Sequence, residues 1–209
     1  MRSSRSRGLV AIVVLAVLYA VRGRRWQMNW GSSTNEQLRV LPGDDLIDQV
    51  DLTATRAIDI RCPPAAVWPW IAQLGQGRGG MYSYDALENL VGCDIHSADR
   101  IVPEWQEIAM GDDVRLAPEV SLTVASLDYG RALVLSGGVP VGVSAPPYDF
   151  TWSFVVEDAP NGQARLVVRE RYAYKQAWAC LLVEPTEIVS FLMSQKMLRG
   201  IRDRAEASR

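Results

Sequence analysis

His96 is the only histidine in the chain, and it stands in the run Asp94-Ile95-His96-Ser97-Ala98-Asp99. Two carboxylates around one imidazole could hold a metal ion, or make a general base oriented by Asp85, Glu88 or Asp99. Three ligand-type residues in one loop, without a second histidine, are a thin coordination set. A lone histidine is more often a loop hydrogen-bonder, so no metal and no cofactor is expected. Glu170 is the second chemical candidate. It shares strand parity with Leu166, Val168 and Tyr172. A carboxylate on an apolar face carries a raised pKa or sits beside a cation. The opposite parity, with Arg169 and Arg171 inward and Glu170 solvated, is equally open, because one β-bulge between 163 and 172 exchanges the faces.

Gly75-x-Gly77-x-x-Gly80 matches a dinucleotide-binding fingerprint letter for letter. That fingerprint needs a strand immediately before it in a βαβ unit. Here a helical pattern precedes it, so a tight connector is expected, with Arg78 beside it to meet an anion such as a lipid headgroup. There is no GxSxG, Walker A loop or HExxH. Phe150, Trp152 and Phe154 make an aromatic stripe that either packs under a helix or lines a ligand. Tyr82, Tyr84 and Trp105 stand in or beside a loop, as gate residues or as ordinary packing.

The elements that position these residues follow from periodicity. Residues 52–60 alternate as a strand, with Leu52, Ala54, Ile58 and Ile60 on one parity. Cys62-Pro63-Pro64 ends it, and proline suits the first turn of the helix expected over 65–74. A second helix is expected over 82–91, with Tyr84, Leu87, Leu90 and Val91 as its apolar face. From residue 112 the period is two: strands over 114–116, 122–127, 132–135, 150–157 and 165–172, with Asn161-Gly162 as a hairpin turn. A long helix over 185–207 closes the chain. This order predicts an α+β fold, a curved antiparallel sheet around the C-terminal helix.

The totals exclude some functions. Twenty-two basic and 24 acidic residues give a net charge of −2 over 209 residues, 48% of them hydrophobic. Residues 1–35 hold six Arg and no acid, which leaves the remainder at −8. So acidic a body is a poor match to nucleic acid. Three scattered cysteines give neither a disulfide framework nor a zinc site. Leu9–Val21 is apolar apart from Tyr19, and arginines flank it. It is short for a span, but it has no small-x-small cleavage site after it, and Trp26 and Trp30 suit an interface. Residues 1–30 are therefore expected as a single-pass membrane anchor, 31–50 as a linker and 51–209 as the folded domain. Arg22, Arg24 and Arg25 lean towards a cytoplasmic body.

The run Pro63-Pro64-Ala65-Ala66-Val67-Trp68 after the first strand, and the stretch from Trp68 to Gln106, resemble the SRPBCC superfamily of START-like helix-grip domains. This superfamily includes polyketide cyclases/dehydrases and lipid-binding proteins. Trp30-Gly31 with Glu36, and Leu41-Pro42-Gly43-Asp44, are similar to an actinobacterial subgroup that carries an N-terminal apolar segment. The resemblance implies a helix-grip fold with an apolar cavity between sheet and long helix. With the expected anchor, it gives a membrane-tethered module that binds a hydrophobic small molecule, either a lipid or a polyketide-like compound, and the module is expected to be monomeric. A cyclase/dehydratase-type enzyme is the alternative, with His96 and Asp85 or Glu170 moving protons. The expected cavity residues are Tyr82, Tyr84, Trp105, Phe150, Trp152, Phe154, Glu170 and Tyr172.

Overall fold

The computed structural model describes residues 22–142 and 144–208. The apolar run 9–21 lies outside the described residues, but residues 22–30 of the expected anchor are described, and there Trp30 packs against the core and Trp26 meets the Phe191 ring edge-on at 5.2 Å, so neither ring is held out only for a membrane interface. Six strands form one antiparallel sheet: β1 (Leu52–Ile60), β2 (Asp113–Ala117), β3 (Val120–Asp128), β4 (Ala132–Gly137), β5 (Tyr148–Ala159) and β6 (Gln163–Tyr174). Their order is β1-β6-β5-β4-β3-β2, so the first strand pairs with the last and the rest follow as a meander. The β5–β6 hairpin turns at Asn161 and Gly162, both at positive φ (63° and 69°). An Asn-Gly pair meets that requirement at little steric cost.

Between β1 and β2 lie α1 (Pro64–Ala72) and α2 (Asp85–Leu90). Proline in the first turn of α1 gives up a backbone donor that has no intrahelical partner there. Val67, Trp70 and Ile71 of α1 are buried as expected. The glycine-rich connector closes on itself: the Gly75 and Gly80 backbones exchange two hydrogen bonds, of 3.0 and 2.9 Å. A Cβ on Gly80 would stand 2.7 Å from Ser97 Cα, so this turn admits glycine only.

The long helix α3 (Cys180–Ala207) lies across the concave face. It starts five residues earlier than expected, and Pro185 falls inside it rather than at its start. A 3-10 turn at Ala177–Ala179 runs straight into it. Met197, Leu198, Ile201 and Ala205 point into the core with Phe154, Val156, Leu166 and Val168 of the sheet, and Phe191 is buried against Trp26. Gly200 lets the helix backbone approach the 80–83 turn, since a Cβ there would stand 2.3 Å from the Tyr82 carbonyl oxygen. With its lead-in, this helix is the one element among the described residues long and apolar enough to cross a membrane by length and composition.

The strand order, the curved sheet and the helix across its concave face make the helix-grip fold. The body, however, begins near residue 24 and not at 51. Residues 31–50, expected as a linker, are bonded to the convex face of the sheet. Arg169 is buried there, donating to Thr55 Oγ1 (3.0 Å), to the carbonyls of Glu36, Gln37 and Arg39, and to the Asp44 carboxylate. Arg165 grips Glu36 at 2.7 Å, and Ser33 and Glu36 form a capping box on the short helix Thr34–Leu38. Leu41 packs with Ala57, Ala132, Val155 and Val167 in a second apolar cluster. The cause is the row Arg165, Arg169 and Arg171 on that face: buried guanidiniums need acceptors, and this segment supplies them.

Candidate functional site

Sheet and helix do not fill the space between them, and a cavity of about 200 Å³ remains. Its floor is Phe150 and Trp152 of β5 with Glu170 and Tyr172 of β6. Cross-strand register sets this floor: Phe150 faces Tyr172, and Trp152 faces Glu170. The rings form a tilted series, with 4.6 Å between the centroids of Phe150 and Tyr172, and 5.7 Å between Tyr148 and Tyr172. Ser190, Met193, Ser194 and Met197 of α3 make the roof. Met81, Ser83 and Glu88 line it from the α2 side, and Val139 and Tyr148 from the β4–β5 side.

The parity of β6 is thereby settled: Glu170 points in, and the 163–174 register carries no bulge against β5. Its carboxylate is 5% exposed and is fully engaged with donors on one side. Arg56 Nη1 donates at 2.7 Å and Ser194 Oγ at 2.9 Å to Oε1, and Ser190 Oγ donates at 3.0 Å to Oε2. Arg56 is itself 2% exposed; its Nε donates to the Gln27 carbonyl at 3.1 Å, and its guanidinium lies 5.8 Å from the Phe191 ring centre. The inward acid therefore has the cation it requires, and the pair forms one polar pole of a mainly apolar space, with Ser83 and Glu88 on the opposite, α2 side. A carboxylate offers about four acceptor positions. Three are used, and the open one is on Oε2.

Three other ionisable groups line the wall. Burial, the Glu170 carboxylate and Tyr148 push the Tyr172 hydroxyl well above its ordinary range, so it stays a neutral donor. Burial also raises Tyr148. Burial first, and then the Asp85 carboxylate, push Glu88 up to about 7. Glu88 thus changes charge near neutrality at the cavity wall, and its Oε2 is enclosed with no hydrogen-bond partner among the described residues.

Of the expected cavity residues, the structure brings together Phe150, Trp152, Glu170 and Tyr172. The other four lie elsewhere. Phe154 is wholly buried in the core next to Trp152, one strand pair beyond the cavity. Tyr82 is also core: its hydroxyl accepts from Gln73 Nε2 at 2.9 Å, and its ring meets Trp70 edge-on at 5.7 Å. Tyr82 has φ 54°, which turns its ring inward and leaves the neighbours Met81 and Ser83 on the cavity. Tyr84 is exposed at the start of α2, and Leu87, Leu90 and Val91 are exposed with it, so the apolar face expected there is outward. Trp105 sits in a 3-10 turn where its carbonyl accepts from Arg78 at 2.6 Å. Arg78 also donates to the Ala72 carbonyl, so it braces the connector and is not held out for an anion.

His96 has an 81% exposed side chain and reaches only Asp94, at 3.2 Å. Asp85 is spent on the Ser97 amide and hydroxyl. Among the described residues no group of three or more His, Cys, Asp or Glu could hold a metal ion. The sequence reading missed Arg56, Glu88 and the serine pair. Arg56 did carry a signal. It stands between Ala54 and Ile58 on the apolar parity of β1, and a base on a buried parity calls for an inward acid. Ser190 and Ser194 are four residues apart, and so share a helix face with Met193 and Met197.

The fold and cavity define the class: a helix-grip protein with an apolar, ligand-sized space under its long helix. No family model matches the chain, and no curated protein matches it. Among solved structures it is similar to a protein from Nitrosospira multiformis, with 13% identity and a TM-score of 0.47 over 76% of this chain and 100% of that one. It is similar to Ara h 8.0201, with 13% identity and a TM-score of 0.43 over 75% and 98%. It is also similar to DynU16, from the dynemicin biosynthetic locus, with 11% identity and a TM-score of 0.41 over 71% of this chain and 46% of that one. The fold assignment rests on the strand order and helix placement themselves.

Proposed function

We propose that the protein binds a small apolar molecule in this cavity and that residues 9–21 tether it to a membrane. The observation that carries the reading is the wall itself: mainly aromatic and aliphatic side chains with a few polar groups among them, the arrangement of small-molecule sites in general. An engineered cavity of about 150 Å³ takes up benzene. A space of about 200 Å³ therefore suits a one- or two-ring compound or a short chain rather than a whole diacyl lipid. A polyketide-like fragment fits that size. The cyclase/dehydratase alternative loses its proposed base, because His96 is on the surface, Asp85 is committed to Ser97, and Glu170 is paired with Arg56.

Support for the tether comes from the outward side of α3. Leu181, Ile188 and Leu192 form an exposed apolar stripe, flanked by Leu182 and Val189. Further along the same stripe stand Lys196, Arg199 and Asp203. The apolar half is the one beside the short helix Arg24–Met28, held there by Arg24 on Glu187 at 2.7 Å and by Trp26 on Phe191. A bilayer entered at residue 21 would cover that half. The body would be monomeric, on the side of the Arg22, Arg24 and Arg25 cluster. Native mass spectrometry of the purified protein tests the binding: a retained small molecule at one per chain is expected, and a bare mass that no apolar compound shifts would overturn it. Carbonate washing tests the tether, since a full-length chain should stay with the membranes.

A further inference from the structure

The charge of the cavity wall narrows the ligand further. Among the described residues no Lys, Arg or His lines it, and its charged groups are the carboxylates Glu88 and Glu170. Arg56 lies behind Glu170, with its guanidinium committed to Glu170, Ser194 and the Gln27 carbonyl. A carboxylate or phosphate ligand would meet two acids and no free cation, and would be repelled. A donor group would meet the open position on Glu170 Oε2 and the Glu88 carboxylate of the wall. Around them stand four rings, Tyr148, Phe150, Trp152 and Tyr172. Aromatic faces attract a cation, and more strongly where water is excluded.

We propose that the ligand is an organic amine bound as its ammonium ion, with an apolar body of one or two rings among the four aromatics and its N–H groups directed at Glu170 and Glu88. This rests on the cavity-binding reading above and gives that site its ligand class. Arg56 balances Glu170, so Glu88 supplies the net charge of the wall. The charged and titratable groups that act on Glu88 are Asp85 on its own helix and Cys93 in the loop after it, while Lys196 on α3 stands 6.0 Å over the ring of Tyr84, which precedes α2. Glu170, Tyr148 and Tyr172 share the cavity with it. Because Glu88 titrates at about 7, the wall gains negative charge between pH 6 and 8, while an alkylamine stays protonated. Amine affinity therefore rises over this range, and the affinity of a neutral analogue does not.

Three probes with one skeleton test this: 1-naphthylmethylamine, 1-naphthylmethanol and 1-naphthoate, titrated into the full-length protein in detergent by fluorescence at pH 6 and pH 8. At pH 8 the amine should bind about 10-fold more tightly than the alcohol, the scale of a charge-assisted hydrogen bond with cation–π contacts. The carboxylate should be the weakest, and the amine-to-alcohol ratio should fall several-fold at pH 6. Glu88→Gln should remove that pH dependence, and Phe150→Leu should shrink the ratio at both pH values. If either variant fails to fold, the parent protein's own ratio and pH series still decide. Saturable binding in which the alcohol or the carboxylate equals the amine overturns the amine assignment and leaves the cavity reading standing. No saturable binding by any of the three overturns both.

Discussion

Replacing Arg56 by methionine should destabilise the protein by about 3–5 kcal/mol, the usual cost of removing one partner from a buried ion pair. The structure gives reasons to expect this range. Arg56 and Glu170 are 2% and 5% exposed, their contact is 2.7 Å, and among the described residues no other cation reaches the carboxylate. After the change, Glu170 keeps only the Ser190 and Ser194 hydroxyls, and the Gln27 carbonyl loses its Arg56 donor. Methionine retains much of the buried stem, so most of the loss is electrostatic. Urea denaturation followed by tryptophan fluorescence reads the effect. With a slope of about 2 kcal/mol per M, the midpoint should fall by about 1.5–2.5 M. Adding Glu170→Met to Arg56→Met removes the stranded charge and should restore a large part of that loss, because an apolar pair of similar volume is often as stable as the ion pair it replaces. A single variant that costs under about 1 kcal/mol, or a double variant no more stable than Arg56→Met, would refute the reasoning.

Trp152→Phe should leave the protein folded and change its affinity for a naphthalene probe several-fold in a fluorescence titration. The lost ring volume is partly offset because the Trp152 Nε1 donor is enclosed without a partner among the described residues. A chain starting at residue 22 should unfold cooperatively on heating, whereas one starting at residue 51 should not, because it strips Arg169 of its acceptors in 36–44; circular dichroism melts compare them. Burial alone would raise Glu36, but Arg165 and Ser33 outweigh it and hold the carboxyl at about 2. Its folded value is depressed, so it contributes stability above pH 4.5 that is lost as pH falls towards 2. Glu36→Gln should therefore cost up to about 3 kcal/mol at pH 7 and nearly nothing at pH 2, as read by denaturant midpoints.

The fold was legible where side chains alternate under one constraint. Phe150, Trp152, Phe154 and Val156 had to share a buried face, Asn161-Gly162 had to turn, and together they place β5 against β6 in the observed register. Half of the candidate cavity follows from that register. The gate residues did not follow, because the inward turn of Tyr82 depends on a positive φ that its sequence context does not announce. The covering of the convex face was equally hidden. Arg165, Arg169 and Arg171 were visible, but several of their partners are backbone carbonyls of residues 31–44, and a carbonyl has no residue type to read. Glu88 was visible as an acid on a helix, but only its placement against the cavity gives it a shifted titration.

The claim that the space under α3 is a ligand site is tested most directly by photoaffinity labelling with a small aryl-diazirine, followed by mapping of the inserted carbene. The account predicts saturable insertion into peptides that carry Phe150 and Trp152, Tyr172, and Met193 to Met197, with unlabelled naphthalene as a competitor. Insertion confined to the outward stripe of Leu181, Ile188 and Leu192, or spread over the surface without saturation, would contradict it.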